Sequence, residues 1–328
     1  MLPRVSVIVP AYNSGKTIAE CLEALASQTY PAGLYETIVV DDGSTDSTPS
    51  LIKKFPVKYL RQKNSGPATA RNRGAREASG EIILFTDSDC VADPDWIEEM
   101  TGPFKDPEVM AVKGAYRTNQ RSIVARFAQL EFEERFEMLK KAESIDMVDT
   151  YSAGYRRDLF MAAGGFDASF PVANNEDTEL SYRLSVLGHK MVFNPGARVC
   201  HLRHPDSVKR YASLKFWRGY WRMAVYKRFP GKMLKDHYTP QSLKLGILFV
   251  FLFAAGAAFA ALVPRPGVYV PMLAALCFAL TCVPFTLSAL RKDPAVALFS
   301  PFLLLVRASA IGAGALWGAV GGMRPGLG

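Results

Sequence analysis

Cysteine is scarce in this sequence, and it is not arranged as in a disulfide or zinc scaffold. The 328 residues contain five cysteines, at positions 21, 90, 200, 277 and 282, with neither a paired nor a metal-like spacing. Disulfide frameworks and structural zinc sites are recognised from sequence by such spacings. We therefore expect neither a disulfide nor a zinc site.

Targeting signals and repeats are also missing. No secretory signal is recognised at the amino terminus, because residues 1–4 lead directly into a strand-like run. Internal repeats and low-complexity segments are not found either, apart from alanine- and glycine-rich stretches near the carboxyl end. Membrane insertion would therefore depend on the carboxyl-terminal part of the chain.

Excess charge is lacking over most of the chain, because the net positive charge is concentrated in one block. Residues 201–244 contain eleven Lys and Arg against two Asp, a net charge of +9, whereas the whole chain carries +8. The remainder is therefore near neutral. A single basic block indicates an anionic surface as its partner rather than general binding of nucleic acid.

Three long apolar stretches follow, at about residues 243–263, 268–290 and 295–320. Each is long enough to cross a hydrocarbon core of about 30 Å as a helix of about 20 residues. Buried core helices are the alternative, which the short polar, proline-containing links between the stretches disfavour. We predict three transmembrane helices. Arg307 interrupts the third, and because a lipid-facing charge is costly, we expect it to face a protein interior, a polar cavity or a headgroup region.

The basic block is predicted to form interfacial helices over residues 206–242. It interleaves cations and aromatic residues, including Arg218, Trp221 and Arg222, as in a helix that lies in a membrane interface. RNA could bind the same composition, but the adjacent apolar stretches favour lipid. Because positive charge beside a span favours the cytoplasmic side, we expect a multi-pass inner- or plasma-membrane protein with a cytoplasmic amino-terminal domain.

The first half of the chain alternates strand-like and helical patterns. Residues 5–10 and 37–40 are apolar strand-like runs, and residues 16–27 between them have a helical pattern. Such alternation predicts a mostly parallel sheet with helices on both faces, and ligands of such sheets bind beyond the carboxyl ends of the strands. Polar clusters lie at three of these ends, at residues 11–14, 41–46 and 87–89.

Two carboxylates, Asp87 and Asp89, follow the strand-like run at residues 81–85. Magnesium- or manganese-type ions prefer hard oxygen ligands and are commonly shared between carboxylates and the phosphates of a substrate. The pair therefore predicts a divalent ion and a phosphate-bearing ligand. The same spacing also occurs in solvated turns, so the surrounding sequence decides the interpretation.

Five segments in order extend the pattern over roughly the first 200 residues. They are VIVPAYN at 7–13, VDDGSTD at 40–46, NSGPATARNRG at 64–74, TDSD at 86–89 and NEDTEL at 175–180. Together they resemble the family 2 glycosyltransferases of GT-A fold. The resemblance implies an α/β, Rossmann-like catalytic domain over residues 1–205, before the interfacial segment and a transmembrane domain over residues 243–328.

The resemblance also implies a donor site for a nucleotide-diphosphate sugar of UDP or GDP type. Its residues would be Pro10, Ala11, Tyr12, Asn13, Asp41, Asp42, Gly66, Arg71, Asp87 and Ser88. A carboxylate such as that of Asp41 or Asp42 accepts hydrogen bonds from a base or ribose, and an arginine such as Arg71 can bind the diphosphate in a fork. A turn followed by a helix cap is the alternative for residues 42–47.

Metal and base assignments follow from the same resemblance. Asp89, Asp87 and His201 would hold Mn2+ or Mg2+, which stabilises the charge on the leaving nucleoside diphosphate, although a lone histidine is more often structural. Asp177 would be the base that activates the acceptor hydroxyl, with Glu176 positioning the acceptor. Capping of the predicted helix over residues 178–187 is the alternative for both.

We predict inverting transfer of a sugar to a lipid-linked acceptor, expected to be a polyprenyl diphosphate sugar, in cell-surface glycan biosynthesis. Processive relatives carry Gln-x-x-Arg-Trp after the base, whereas the comparable region here is FWRGYWR at 216–222, which favours single-sugar transfer. Arg218, Trp221, Arg222 and Arg307 are the candidates for contacts with the acceptor or a lipid phosphate. Transfer onto polyprenyl phosphate itself and an inactive nucleotide-binding scaffold are the alternatives.

Overall fold

The chain folds as alternating strands and helices, followed by helices alone. A computed structural model describes residues 1–170, 174–234 and 236–321. Its strands are β1 (Val5–Ala11), β2 (Tyr35–Asp41), β3 (Lys58–Arg61), β4 (Ile82–Phe85), β5 (Cys90–Ala92), β6 (Val109–Arg117), β7 (Ala153–Arg156) and β8 (Lys190–His201). Its helices are α1 (Ile18–Ala26), α2 (Thr48–Ile52), α3 (Pro67–Glu77), α4 (Trp96–Thr101), α5 (Ile123–Leu139), α6 (Arg157–Ala162), α7 (Glu176–Val186), α8 (Val208–Arg228), α9 (Pro230–Leu234), α10 (Gln241–Leu262), α11 (Pro264–Gly267), α12 (Tyr269–Lys292) and α13 (Pro294–Val320).

The strands form one mixed sheet of order β3-β2-β1-β4-β7-β6-β8-β5. The pairs β1/β2, β1/β4, β2/β3 and β6/β8 are parallel, whereas β7 is antiparallel to β4 and β6, and β5 is antiparallel to β8. The near-continuous apolar runs of β1, β2 and β4 are buried, as expected of parallel strands covered on both faces. Since these three strands run in one direction, the polar clusters that follow them lie at the same edge of the sheet.

The described residues form two compact units. The first contains Met1–Asn119 and Met138–Arg203, and the second contains Gln120–Glu137 and the described residues from His204 onward. Most of α5 therefore packs with the carboxyl-terminal helices, although it lies within the residues 1–205 predicted as the catalytic domain. The apolar face of α5 explains this grouping, because Val124 and Phe127 join a buried cluster with residues of α12 and α13.

Three helices of the second unit are long and apolar enough to cross a membrane. They are α10, α12 and α13, with 22, 24 and 27 residues and mean hydropathies of 2.5, 2.1 and 1.8. Their bounds agree with the predicted stretches to within a few residues.

The basic helix α8 packs closely along α13 through glycines. A Cβ atom at Gly314 would meet the backbone carbonyl of Phe216, and one at Gly318 would meet that of Tyr220. Gly219 of α8 faces the backbone of Ile311 in the same way. The two helices can approach this closely only because no side chain separates their backbones at these positions.

Candidate active site

The turn after β1 draws the first three polar clusters together. Asn13 has a φ of 49°, in the left-handed region that asparagine tolerates. Its N–H donates to Ser44 Oγ at 2.9 Å, and its Oδ1 accepts from the Thr45 N–H at 2.9 Å. Ser14 Oγ lies 2.7 Å from Ser88 Oγ, which links this turn to the segment after β4. The predicted meeting of the clusters at one sheet edge is confirmed.

The carboxylates of Asp41 and Asp42 are buried and already accept hydrogen bonds from the protein. Asp41 Oδ2 accepts from the Tyr59 hydroxyl at 2.7 Å. Asp42 accepts from the Ser65 N–H and the Gly66 N–H, both at 2.9 Å. These bonds hold the loop before α3 against the end of β2. A carboxylate offers further lone pairs, so contact with a donor nucleotide stays a prediction for both residues.

The other predicted donor residues differ in exposure. Ala11 is buried, Pro10 and Ser88 are partly buried, and Tyr12 is 52% exposed. Of this set, Tyr12 thus offers an exposed aromatic side chain at the edge of the site. Contact of these residues with a nucleotide stays a prediction.

Arg71 connects the segment after β4 to the start of α7. Its side chain is buried, its Nη2 donates to Asp87 Oδ1 at 2.7 Å, and its Nη1 donates to Glu176 Oε1 at 2.8 Å. Burial raises the pKa of Glu176, against the opposing effect of the Arg71 guanidinium. Within the part of the chain that the structure describes, Glu176 Oε2 and Arg71 Nε are buried without a hydrogen-bond partner. The predicted contact of Arg71 with a diphosphate stays a prediction.

Asp177 is half-buried next to this pair, in the first turn of α7. Burial raises its pKa to about 7, with further contributions from the negative charges of Glu176 and Asp149. Its Oδ1 accepts from the Thr178 N–H at 2.7 Å. The preceding residue, Asn175, has a φ of 66°, and left-handed residues other than glycine cluster at functional sites. A carboxylate that titrates near neutral pH is suited to act as a base.

Sequence reasoning missed a buried ion pair beside Asp177. Lys113, on β6, is fully buried, pairs with Asp149, and donates to the Tyr151 hydroxyl at 2.8 Å. The segment that carries Asp149 is tied to α7, because the Val148 N–H donates to Ser181 Oγ at 3.0 Å. One signal was available, since a lone lysine in the apolar run of β6 requires a buried partner. Nothing in the sequence identified Asp149 as that partner.

Strand pairing brings Asp89 and His201 together. β5 begins at Cys90, which lies opposite His201 at the end of β8. Asp89 Oδ1 is 3.9 Å from His201 Nε2, and possible ligand atoms of Asp89, Cys90 and His201 all lie within 4.8 Å of one another. Burial raises the pKa of the Cys90 thiol well above its ordinary value, which leaves Asp89 and His201 as the donors suited to a hard cation.

The candidates for acceptor or lipid contacts belong to the second unit. Trp221 is buried, Arg218 and Arg222 are partly buried, and Arg307 is only 4% exposed. Arg307 Nη1 donates to Glu131 Oε1 at 2.8 Å. Of the three environments expected for Arg307, a protein interior, a polar cavity or a headgroup region, its burial and its bond to Glu131 agree with the first. Its contact with a phosphate stays a prediction.

Known proteins share this sequence pattern. The model of the family described as "Glycosyl transferase family 2" matches residues 6–164. Glycosyltransferase AglE of Haloferax volcanii is 30% identical over 216 residues, which cover 62% of this chain and 68% of AglE. Poly-beta-1,6-N-acetyl-D-glucosamine synthase of Staphylococcus epidermidis is 26% identical over 262 residues, 76% of this chain. The chain spans 60% of the length of that synthase.

Solved structures share the fold. The mannosyltransferase PcManGT from Pyrobaculum calidifontis, solved with GDP-Man and Mn2+, superposes with a TM-score of 0.64 at 23% identity, covering 98% of this chain and 89% of that one. GalNAc-T7, solved with UDP, GalNAc and Mn2+, gives a TM-score of 0.50 at 17% identity over 73% of this chain and 52% of that one. This likeness confirms the predicted GT-A-like α/β fold followed by apolar helices.

Proposed function

Because this chain belongs to glycosyl transferase family 2, we propose that it transfers single sugars from a nucleotide-diphosphate sugar to a lipid-linked acceptor. The observation that carries the proposal is the pair of bonds from Arg71 to Asp87 and Glu176, which joins the donor-side and acceptor-side segments in one buried network. The complexes of PcManGT with GDP-Man and of GalNAc-T7 with UDP support a nucleotide-linked donor.

A divalent ion, Mn2+ or Mg2+, fits the donor set at Asp89 and His201, with Asp87 two residues away. A carboxylate and an imidazole within one small cluster suit such an ion. His201 Nδ1 accepts from the Arg203 N–H at 3.2 Å, so ligation through Nε2 would move the ring proton to Nδ1 and end that contact. When bound, the ion would supply positive charge to stabilise the leaving diphosphate.

Asp177 is the base of the proposed reaction. Its carboxylate takes the proton of the acceptor hydroxyl, and the hydroxyl oxygen bonds to the anomeric carbon of the sugar. The bond from that carbon to the diphosphate breaks at the same time, and the nucleoside diphosphate leaves with the electron pair. A single displacement inverts the anomeric carbon. Glu176, held by Arg71, orients the acceptor. Its Oε2, which has no hydrogen-bond partner among the described residues, is the atom suited to accept from an acceptor hydroxyl.

The second unit supports a membrane-bound acceptor in cell-surface glycan assembly. Three helices could cross a bilayer, and α8 beside them is rich in basic and aromatic residues, which favours a cytoplasmic location for the first unit. Single transfer is preferred over polymer synthesis because residues 216–222 lack the Gln-x-x-Arg-Trp pattern. The polyprenyl-phosphate alternative keeps the same donor site and changes only the acceptor.

Release of nucleoside diphosphate by the full-length protein in lipid nanodiscs tests the proposal. The reaction is supplied with a panel of sugar nucleotides and with lipid acceptors that carry either a polyprenyl phosphate or a polyprenyl diphosphate sugar. Asp177→Asn should reduce release about 10²- to 10⁴-fold while donor affinity stays unchanged, because a general base contributes about that much. Asp158→Asn, at the exposed start of α6, is the matched control. Donor binding without release under every acceptor would instead favour the inactive scaffold.

A further inference from the structure

We infer that the second unit contains a binding site for a lipid phosphate at the start of α10, formed by Arg307 together with Ser242 and Thr281. The inference rests on the proposed function only in naming the acceptor lipid as the source of that phosphate. Four features of the unit carry it: an imbalance of buried charge, an unpartnered donor atom, a cavity and the amino-terminal end of α10.

The buried charge around Arg307 is not balanced. Glu131 is buried and shared between two buried cations, since it accepts from Arg307 at 2.8 Å and from Lys215 Nζ at 2.9 Å. Burial lowers the pKa of Lys215 to about 7, against the opposing effect of the Glu131 carboxylate, and the neighbouring Arg135 adds a further positive charge. Burial raises the pKa of the nearby Glu134, against the opposing effects of Arg307 and Arg135. An added anion would balance the cluster.

The Arg307 guanidinium has a hydrogen-bond donor that Glu131 does not use. Its Nη1 is used by Glu131, but its Nε is buried and has no hydrogen-bond partner among the residues that the structure describes. A guanidinium presents several N–H groups in a fixed plane, so one edge can serve Glu131 while another serves a phosphate oxygen.

A small cavity of about 10 Å³ among α10, α12 and α13 lies next to this guanidinium, which is room for one phosphate oxygen rather than a whole phosphate. Its lining includes Arg307, the hydroxyl-bearing Ser242 and Thr281, and Gly246. The Thr281 hydroxyl donates to the Phe278 carbonyl at 2.6 Å, so it can accept from a protonated phosphate oxygen. The site therefore combines one cation with two hydroxyl groups on three different helices.

The start of α10 adds a second source of positive potential. This 22-residue helix begins after Pro240 without a side-chain cap, and Ser242 in its first turn lines the cavity. Backbone N–H groups and the helix dipole at such an end favour an anion. The apolar run of α10 begins just beyond this end of the helix. A lipid chain could then lie against the exposed apolar side chains of α10, among them Leu245 and Leu248.

The test measures binding of farnesyl phosphate to the full-length protein in phosphatidylcholine nanodiscs. Farnesol and inorganic phosphate are the comparison ligands, and we expect both to bind at least tenfold more weakly than farnesyl phosphate. Arg307→Gln should raise the Kd for farnesyl phosphate at least tenfold, and Thr281→Val and Ser242→Ala should raise it about threefold. Arg291→Gln, an exposed position on α12, is the matched control with an unchanged Kd.

Equal Kd values in the wild type and Arg307→Gln would overturn the inference. If Arg307→Gln fails to fold, wild-type binding by both Thr281→Val and Ser242→Ala overturns it instead, since the bonds described for Glu131 come from Tyr211, Lys215 and Arg307. Nanodiscs that contain phosphatidylglycerol distinguish the two sources of phosphate. If phosphatidylglycerol competes with farnesyl phosphate, the site binds the headgroup phosphate of bulk lipid. If it does not compete, the site binds the acceptor lipid. Nucleoside diphosphate release is measured in parallel. If nucleoside diphosphate is released normally but binding of farnesyl phosphate does not depend on Arg307, only the lipid-phosphate site is rejected. If binding depends on Arg307 but no acceptor gives release, only the proposed transfer is rejected.

Discussion

Arg71 and Glu176 are 105 residues apart in sequence, yet Arg71 Nη1 donates a hydrogen bond of 2.8 Å to Glu176 Oε1 in the buried interior of the first unit. The same guanidinium binds Asp87 at 2.7 Å. One side chain therefore sets the distance between the carboxylates proposed for the donor and acceptor sides, and its removal should affect both.

Arg71→Met should destabilise the protein and stop transfer. Removing one partner of a buried ion pair costs about 3–5 kcal/mol, because the other charges stay buried without compensation. Arg71→Lys keeps the charge but cannot bind two carboxylates in a fork, so we expect folded protein with kcat/KM reduced about 100-fold. Thermal unfolding and initial rates of nucleoside diphosphate release measure the two effects. Arg73→Met, on the same helix with an exposed contact to the Arg61 carbonyl, is the control. Wild-type rates in Arg71→Lys would contradict this account.

The rate should depend on pH through Asp177. A base acts only when ionised, and its pKa is raised to about 7, so kcat should rise with pH through a midpoint near pH 7 and level off above about pH 8. Asp149→Asn removes a negative charge that raises the pKa of Asp177, so the pKa of Asp177 should fall. The midpoint of the profile should therefore move to lower pH. Asp158→Asn should keep the wild-type midpoint, and an unmoved midpoint in Asp149→Asn would show that Asp149 does not influence the base.

Metal dependence should be sensitive to His201. Chelation is expected to stop nucleoside diphosphate release, and added Mn2+ or Mg2+ to restore it. His201→Gln should raise the metal concentration needed for half-maximal activity about 10- to 100-fold and leave much of kcat at saturating metal, because a ligand is weakened while the base is unchanged. Calorimetric titration of metal into the donor-free protein provides a second readout. His189→Gln is the matched control. A metal requirement that is the same in both variants would exclude His201 as a ligand.

Close packing of α8 on α13 should tolerate no side chain at Gly314. The Cβ atom of Gly314→Ala would collide with the backbone carbonyl of Phe216, which cannot rotate away as a side chain could. We expect a loss of about 1–3 kcal/mol and a lower midpoint of thermal unfolding in detergent. Gly231→Ala is the control, because the space around that glycine is open. Equal midpoints would mean that the helices separate at little cost.

Several structural features followed from local sequence. The apolar runs and turn residues of the first half predicted β1, β2 and β4, and the polar clusters after them do meet at one edge of the sheet. The three apolar helices were predicted from length and hydropathy alone. These predictions succeed because strand periodicity, turn chemistry and span length depend on neighbouring residues.

Other features depended on packing between distant segments. The sequence marked Arg71, Asp87 and Glu176 as separate members of three segments, and only the folded chain brought them into one network. The Lys113–Asp149 pair also depends on packing between distant segments. Neither residue lies in one of the five segments that resemble the family.

The sequence by itself thus determined the strand–helix alternation, the polar strand ends and the apolar helices, because each is encoded within a few residues. Tertiary structure alone decided which charges meet. The Arg307–Glu131 pair spans 176 residues and the Arg71–Glu176 pair spans 105. A buried charge must find a partner wherever the packing of helices and the order of strands place one, and no local pattern records that choice.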